Sequence, residues 1–116
     1  MATEFQSLTG LRLGQAALTT TVVILYETPA NTRTYIKDIM IANHSGASGS
    51  TGTVSIYIVP AGGVASNDNE LIGTYPVLKQ DYLHWSGLQI TNPGETIQAV
   101  SDGVELTITI SGAEAV

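Results

Sequence analysis

The sequence predicts an all-β fold, a jelly-roll-like sandwich of seven to eight antiparallel strands or else a small barrel, and three observations carry that expectation. Strand-sized segments rich in β-branched and aromatic residues recur at short intervals between Gly, Pro and Asn turns. Charged residues make up only 12% of the 116 residues, and the polar remainder is Thr, Ser, Asn and Gly, which suits strands and turns better than helix surfaces. No apolar periodicity of 3.6 persists beyond about one turn. The length suits a single domain with one core. Residues 17–116 read as that domain, and residues 1–16 as an N-terminal arm or leader.

Taken in order, "LTTTVVILYE" (18–27) reads as the first strand, closed by the turn Thr28-Pro29-Ala30-Asn31. "RTYIKDIMIANH" (33–44) is a second, its alternation broken near Asp38, where a bulge is expected. "SGASGSTG" (45–52) is a loop, and "TVSIYIVP" (53–60) a third strand with Val54, Ile56 and Ile58 on one face. After the polar stretch "AGGVASNDNE" comes "LIGTYPVL" (71–78), where Pro76 cannot donate to a ladder and so marks an edge. "DYLHWSGLQI" (81–90) holds one bent strand or two short ones. Asn92-Pro93-Gly94-Glu95 is a turn, and Asp102-Gly103 is the dipeptide of a two-residue hairpin loop. That loop predicts a hairpin pairing Ala99 with Leu106 and Ile97 with Ile108, apolar on one face and mostly polar on the other.

Composition narrows the function classes. There is no cysteine, so disulfides and thiolate chemistry are excluded. The formal charge is −6 and unevenly placed: up to Pro60 three acids face three bases, and beyond it seven acids meet only Lys79. This repels phosphate backbones and speaks against nucleic-acid binding. No apolar run approaches the ~18 residues that span a bilayer, so no membrane partner is expected. The start "MATEFQSLTG" lacks a basic region followed by an apolar one, so synthesis in a cytoplasm is expected.

The search for chemistry finds no catalytic, cofactor or metal site, and the reading is non-enzymatic. His44 and His84 lack zinc spacing, and a loop border and a strand alternation account for them. Gly46, Gly49 and Gly52 fit no phosphate-loop pattern, and Gly46 to Ser50 misses the nucleophile elbow at its last position. "NDNE" (67–70) gathers oxygen ligands but lacks the glycine and distal Glu of a calcium loop, and an ordinary polar turn explains it. Tyr75, Tyr82 and Trp85 crowd into eleven residues. They are the candidate interface, as Tyr and Trp are enriched at such surfaces, although Trp85 equally fits as a central core residue. Phe5 and Leu8 join the candidate list because the leader, from Glu4 to Gln15, has no strong periodicity and suits an arm that orders on a neighbour.

"LYETPANTRTYIKDIMIANHSG", then "TVSIYIVPAGG", then "LQITNPGETIQAVSDGVELTITISGAE" together resemble a class of small bacteriophage virion proteins. That class runs from a strand and a Pro-Ala turn through an I-x-x-I-x-I-A-N strand and a T-V-x-I-x-I-V strand to a closing G-D-T-I-Q-A-x-A hairpin ending in T-V-T-I-S-G. Here Pro29-Ala30, Ile36 to Asn43, Thr53 to Val59 and Gly94 to Gly112 occupy those places. The resemblance covers most of the chain beyond about Leu18, and neither the leader nor the tract from Gly63 to Trp85 takes part. It implies a structural subunit of the virion, made in the host cytoplasm, most like a capsid decoration or cement protein that binds the head lattice and stabilises it. The alternative is a neck or tail component. The implied partners are the major capsid protein or another virion protein, and further copies of the chain, with a trimer favoured. A rival reading is a carbohydrate-binding sandwich that stacks sugars on Trp85, Tyr82 and Tyr75, with Asp81 or Asn67 as polar partners.

Overall fold

In the computed structural model, residues 8–46, 48–103 and 105–116 are described, and they form eight strands and one short turn of 3₁₀ helix. The strands are β1 (Leu8–Ala17), β2 (Val23–Glu27), β3 (Arg33–Asn43), β4 (Gly52–Val59), β5 (Glu70–Val77), β6 (Tyr82–Thr91), β7 (Thr96–Ser101) and β8 (Leu106–Ala115). They divide into two four-stranded sheets, β1-β8-β3-β6 and β2-β7-β4-β5, and every pairing is antiparallel. Along the chain β1 lies in the first sheet, β2 in the second, and so on alternately except where β4 passes to β5. This is the double Greek key of a jelly roll, and it meets the expected fold class.

Alternation within the strands fills the space between the sheets. Ile36, Ile39 and Ile41 of β3, Val54 and Ile56 of β4, Ile97 and Ala99 of β7, and Leu106, Ile108 and Ile110 of β8 are all buried. Each large side chain so placed contributes roughly 1.5–3 kcal/mol before conformational entropy is set against it. The bulge expected near Asp38 is present, since the β3 register shifts between Ile36 and Asp38 against both neighbours. It lets Ile36 and Ile39, three apart, both point inward. The Asn92–Glu95 turn also forms as expected, with Gly94 at φ 86° and the Glu95 N–H donating to the Asn92 carbonyl at 3.0 Å.

Two expectations are corrected. The segment 96–109 is not a hairpin: β7 pairs with β2 and β4, and β8 with β1 and β3, so the two strands lie in opposite sheets. Ile97 and Ala99 do share the interior with Leu106 and Ile108, but across the core and not across a ladder. An apolar stripe on each strand is satisfied equally well by either arrangement. The connection is tied to other strands, with the Ser101 N–H donating to the Thr19 carbonyl and the Asp102 N–H to that of Thr53. Gly103, at φ 105°, still serves the turn.

The second correction concerns the leader. Residues 8 to 16 belong to β1, which pairs with β8 along its length, from Leu8 opposite Ala115 to Ala17 opposite Thr107. Residues 1–7, including Phe5, lie outside the described residues. Thr19 to Thr21, expected inside the first strand, instead forms a local turn in which the Thr21 N–H donates to Thr19 Oγ1 at 3.2 Å.

Two glycines are required by close approach. A Cβ on Gly14 would stand 2.9 Å from the Leu25 carbonyl oxygen, where the edges of β1 and β2 meet and close one side of the sandwich. One on Gly112 would stand 2.0 Å from the Tyr35 carbonyl oxygen, beside the β3 bulge.

Candidate interaction surface

The aromatic cluster read from the sequence is split by the strand geometry. On β6, Trp85 is opposite Ile39 and packs against the buried core, as does Leu83 opposite Ile41. Tyr82, paired with Ala42, points to the outer face and is 62% exposed. Tyr75 lies on β5, the edge of the second sheet, and is 48% exposed. Trp85 thus packs against the core as a partly buried side chain, on the face of β6 opposite to Tyr82, so the two do not share one sugar-stacking platform. Leu8 pairs with Ala115 through its backbone.

The two tyrosines do belong to one side of the molecule. The connection from β5 to β6 is short, residues 78–81, and Leu78 within it is 57% exposed. Further along β6, Leu88 and Ile90 are exposed as well. Tyr75, Leu78, Tyr82, Leu88 and Ile90 are thus exposed apolar residues spread along β5, β6 and the turn between them, the margin formed by the edge strands on one side of the two sheets. The edge of β5 is self-guarded against further pairing. Pro76 lies in it, and Thr74 sits at φ 46° with its N–H donating to Ser55 Oγ at 2.9 Å. The expectation that Pro76 marks an edge is met.

A second apolar area lies on the edge of β2. Val22, Val23 and Ile24 are exposed, and Val64 reaches over from the β4–β5 connection. Val22, Ile24 and Gln98 with Gly63, Val64 and Ala65 line a shallow open hollow of about 400 Å³. The signal that could have found it is the strand period itself. In a four-residue apolar run such as Val22-Val23-Ile24-Leu25, half the side chains must face away from the core of a two-layer fold.

The polar candidates resolve into structural roles. Asn67–Asn69 is the 3₁₀ turn, with Ser66 as its cap. The Asp68 N–H donates to Ser66 Oγ, and the Asn69 side chain closes the box by accepting from the Ser66 N–H and donating to the Val64 carbonyl. The polar-turn account of "NDNE" fits this, since the Asn69 amide is spent on backbone groups. His44 Nδ1 stands 3.7 Å from Glu105 Oε1 at the strand ends, and His84 Nε2 meets Asp38 Oδ1 on the outer face of the first sheet. Among the described residues, no group of three His, Cys, Asp or Glu side chains is placed to hold a metal ion.

Two buried polar devices fix the frame. Asn43, 3% exposed, donates through Nδ2 to the carbonyls of Ser50 and Val77 and accepts at Oδ1 from the Ser45 N–H and hydroxyl. It ties the Gly/Ser loop after β3 to the end of β5. At the opposite end, the Tyr26 hydroxyl donates to Glu114 Oε2 at 2.5 Å and lies 2.7 Å from Thr34 Oγ1, joining β2 to the facing sheet. Partial burial, and then the hydrogen bond to Glu114, push the Tyr26 pKa up to about 12.

Neither a protein-family model nor a curated protein matches the sequence. Among solved structures, a chain from infectious bursal disease virus Gx strain aligns over 95% of this chain and 32% of its own, with 9% identity and a TM-score of 0.49. A chain of the T13 particle of the same virus gives 94%, 30%, 10% and 0.49. The Clostridium thermocellum xylanase 10B CBM22-1–GH10 modules, complexed with xylohexaose, give 96%, 26%, 11% and 0.39. The chain spans about a third of the length of these neighbours or less, and at such scores the likeness identifies no relative.

Proposed function

We propose that the protein is a non-enzymatic structural subunit of a bacteriophage virion, a capsid decoration or cement protein that binds the head lattice. The observation that carries this reading is the apolar margin of Tyr75, Leu78, Tyr82, Leu88 and Ile90 on a fold whose interior is already complete. Five exposed apolar side chains along two neighbouring edge strands are what a contact surface would use. The aromatic pair provides the anchors that dominate contact energies. The order of segments in the sequence, from the Pro-Ala turn to the closing T-I-T-I-S-G, supplies the virion assignment. The double Greek key suits it, since capsid domains use this architecture among other functions. A neck or tail component is the alternative location within the same class.

The experiment is co-sedimentation of the purified protein with phage heads that lack it, with saturable binding as the expected result. Tyr82→Ser together with Tyr75→Ser should lower occupancy at least tenfold while leaving the fold intact by circular dichroism. Unchanged occupancy removes the margin from the contact, and binding to neither heads nor tails overturns the virion reading.

A further inference from the structure

Cross-strand register defines the outer face of the first sheet in rungs. Ala17, Thr107, Ala42 and Tyr82 make one, Gln15, Thr109, Met40 and His84 the next, and Arg12, Ser111, Asp38 and Ser86 the third. The central positions are small or unbranched, so the face is flat. None of the described elements crosses it. The corresponding face of the second sheet is different, because the β4–β5 connection leans over Ile24 and Gln98.

Charge singles this face out further. The molecule carries a formal −6, yet the three rungs hold a single acid, Asp38, with Arg12 on the same rung and the exposed Lys37 beside it, and the next rung beyond Ala42 and Thr107 is the His44–Glu105 pair. The three rungs thus bring one base and one acid to the face, so two copies can meet there with opposite charges opposed.

We propose that this face is a self-association surface, and that it packs on the same face of a second copy about a two-fold axis parallel to the strands above β8. The operation places β1 of one copy over β3 of the other, rung on rung. Arg12, at the β1 edge, then stands over Asp38 of the second copy, and the same pair repeats by symmetry. Gln15 falls over Met40, Ala17 over Ala42, and Thr109 faces its own counterpart near the axis. Sheets stacked ~10 Å apart leave room for side chains of this size and little more. Three strands ~4.8 Å apart and about eight residues at ~3.3 Å each give about 400 Å² per copy, which belongs to weak and reversible contacts. Such a contact gains force when many copies are already held side by side. The inference does not rest on the virion reading, and either can fail without the other.

Sedimentation equilibrium of the full chain from about 10 μM to about 1 mM tests it. The expected result is a mass that climbs reversibly from 12.1 kDa toward twice that value. Thr109→Arg sets two guanidinium groups against each other at the axis and should weaken pairing at least tenfold, with an unchanged thermal melt as the fold control. Arg12→Asp should weaken it likewise, and adding Asp38→Arg should restore it. A mass of 12.1 kDa at every concentration overturns the proposal, as does association that Thr109→Arg leaves untouched. Should the double exchange fail to fold for want of the Asp38–His84 contact, the Thr109→Arg result decides alone.

Discussion

Replacing Trp85 and Tyr82 by alanine, one at a time, separates inside from outside on a single strand. The two residues are three apart on β6, but the register puts Trp85 opposite the fully buried Ile39 and Tyr82 opposite the half-exposed Ala42. The indole also covers Gly87, whose added Cβ would sit 3.2 Å from the ring. A fully buried Trp→Ala costs about 3–5 kcal/mol. Trp85 is only partly buried, so about 2–3 kcal/mol is expected, or roughly 8–12 °C in Tm for a domain of this size. Tyr82→Ala removes a side chain that is mostly in water and should stay within about 0.5 kcal/mol. Urea titration followed by far-UV circular dichroism measures both, and an unchanged m-value would show that the native and denatured states are otherwise the same. Because Trp85 is the sole tryptophan, its emission in the parent protein also reports whether the ring leaves an apolar site on unfolding. A cost for Tyr82→Ala equal to that for Trp85→Ala, or a loss below about 1 kcal/mol for the latter, would refute the strand register on which the interaction surface is built.

Other expectations are as direct. Gly112→Ala drives a methyl into the Tyr35 carbonyl and should cost about 3 kcal/mol or more, while Gly10→Ala, whose Cβ would find its nearest neighbour at 3.8 Å, should be nearly silent in the same melt. Asn43→Ala strands the carbonyls of Ser50 and Val77; a loss of about 1–3 kcal/mol and faster proteolysis within residues 44–51 should accompany it. The Tyr26 pKa, raised in the folded state from 10.0 to about 12, means that the unfolded chain loses this proton first. Its stabilising share is therefore complete below pH 10 and fades between pH 10 and 12. Full linkage for two units would be about 2.7 kcal/mol, reduced to about 1 kcal/mol because solvent reaches the hydroxyl. Comparison with Tyr26→Phe over that pH range isolates it from the other tyrosines, and parallel stability curves for the two proteins would dismiss it.

Much of the fold was legible because the strand period survives wherever the core is strict. β3, β7 and β8 carry most of the fully buried isoleucines and alternate between inside and outside, and Asp38 betrays the bulge in β3 by interrupting the pattern. β1 was missed for the same reason in reverse. It is an edge strand with Gly10 and Gly14, and its register shifts between Arg12 and Gly14, so Leu11 and Leu13 never establish a lasting beat. The segment from Thr19 to Thr21 misled through composition: threonine favours strands, but its hydroxyl competes for the backbone and here wins a turn.

Partnering was less legible than strandedness, and the closing segment shows why. Asp102-Gly103 does mark a turn, in which Gly103 takes a positive φ, but not the two-residue hairpin loop that the dipeptide suggests. Reversal, however, leaves open whether the returning strand lies beside its predecessor or across the core from it, since both put Ile97 and Ile108 inside. What decides is long-range: the backbones of Thr19 and Thr53 take up the donors at the turn, and β1 and β3 occupy both edges of β8. The same limit governs the candidate surface. Within β6 a period of two already assigns Trp85 and Tyr82 to opposite faces, but not which face is interior. Only the pairing of Trp85 with Ile39, a contact formed across forty-odd residues of chain, turns one aromatic toward the core and leaves the other on the outer face.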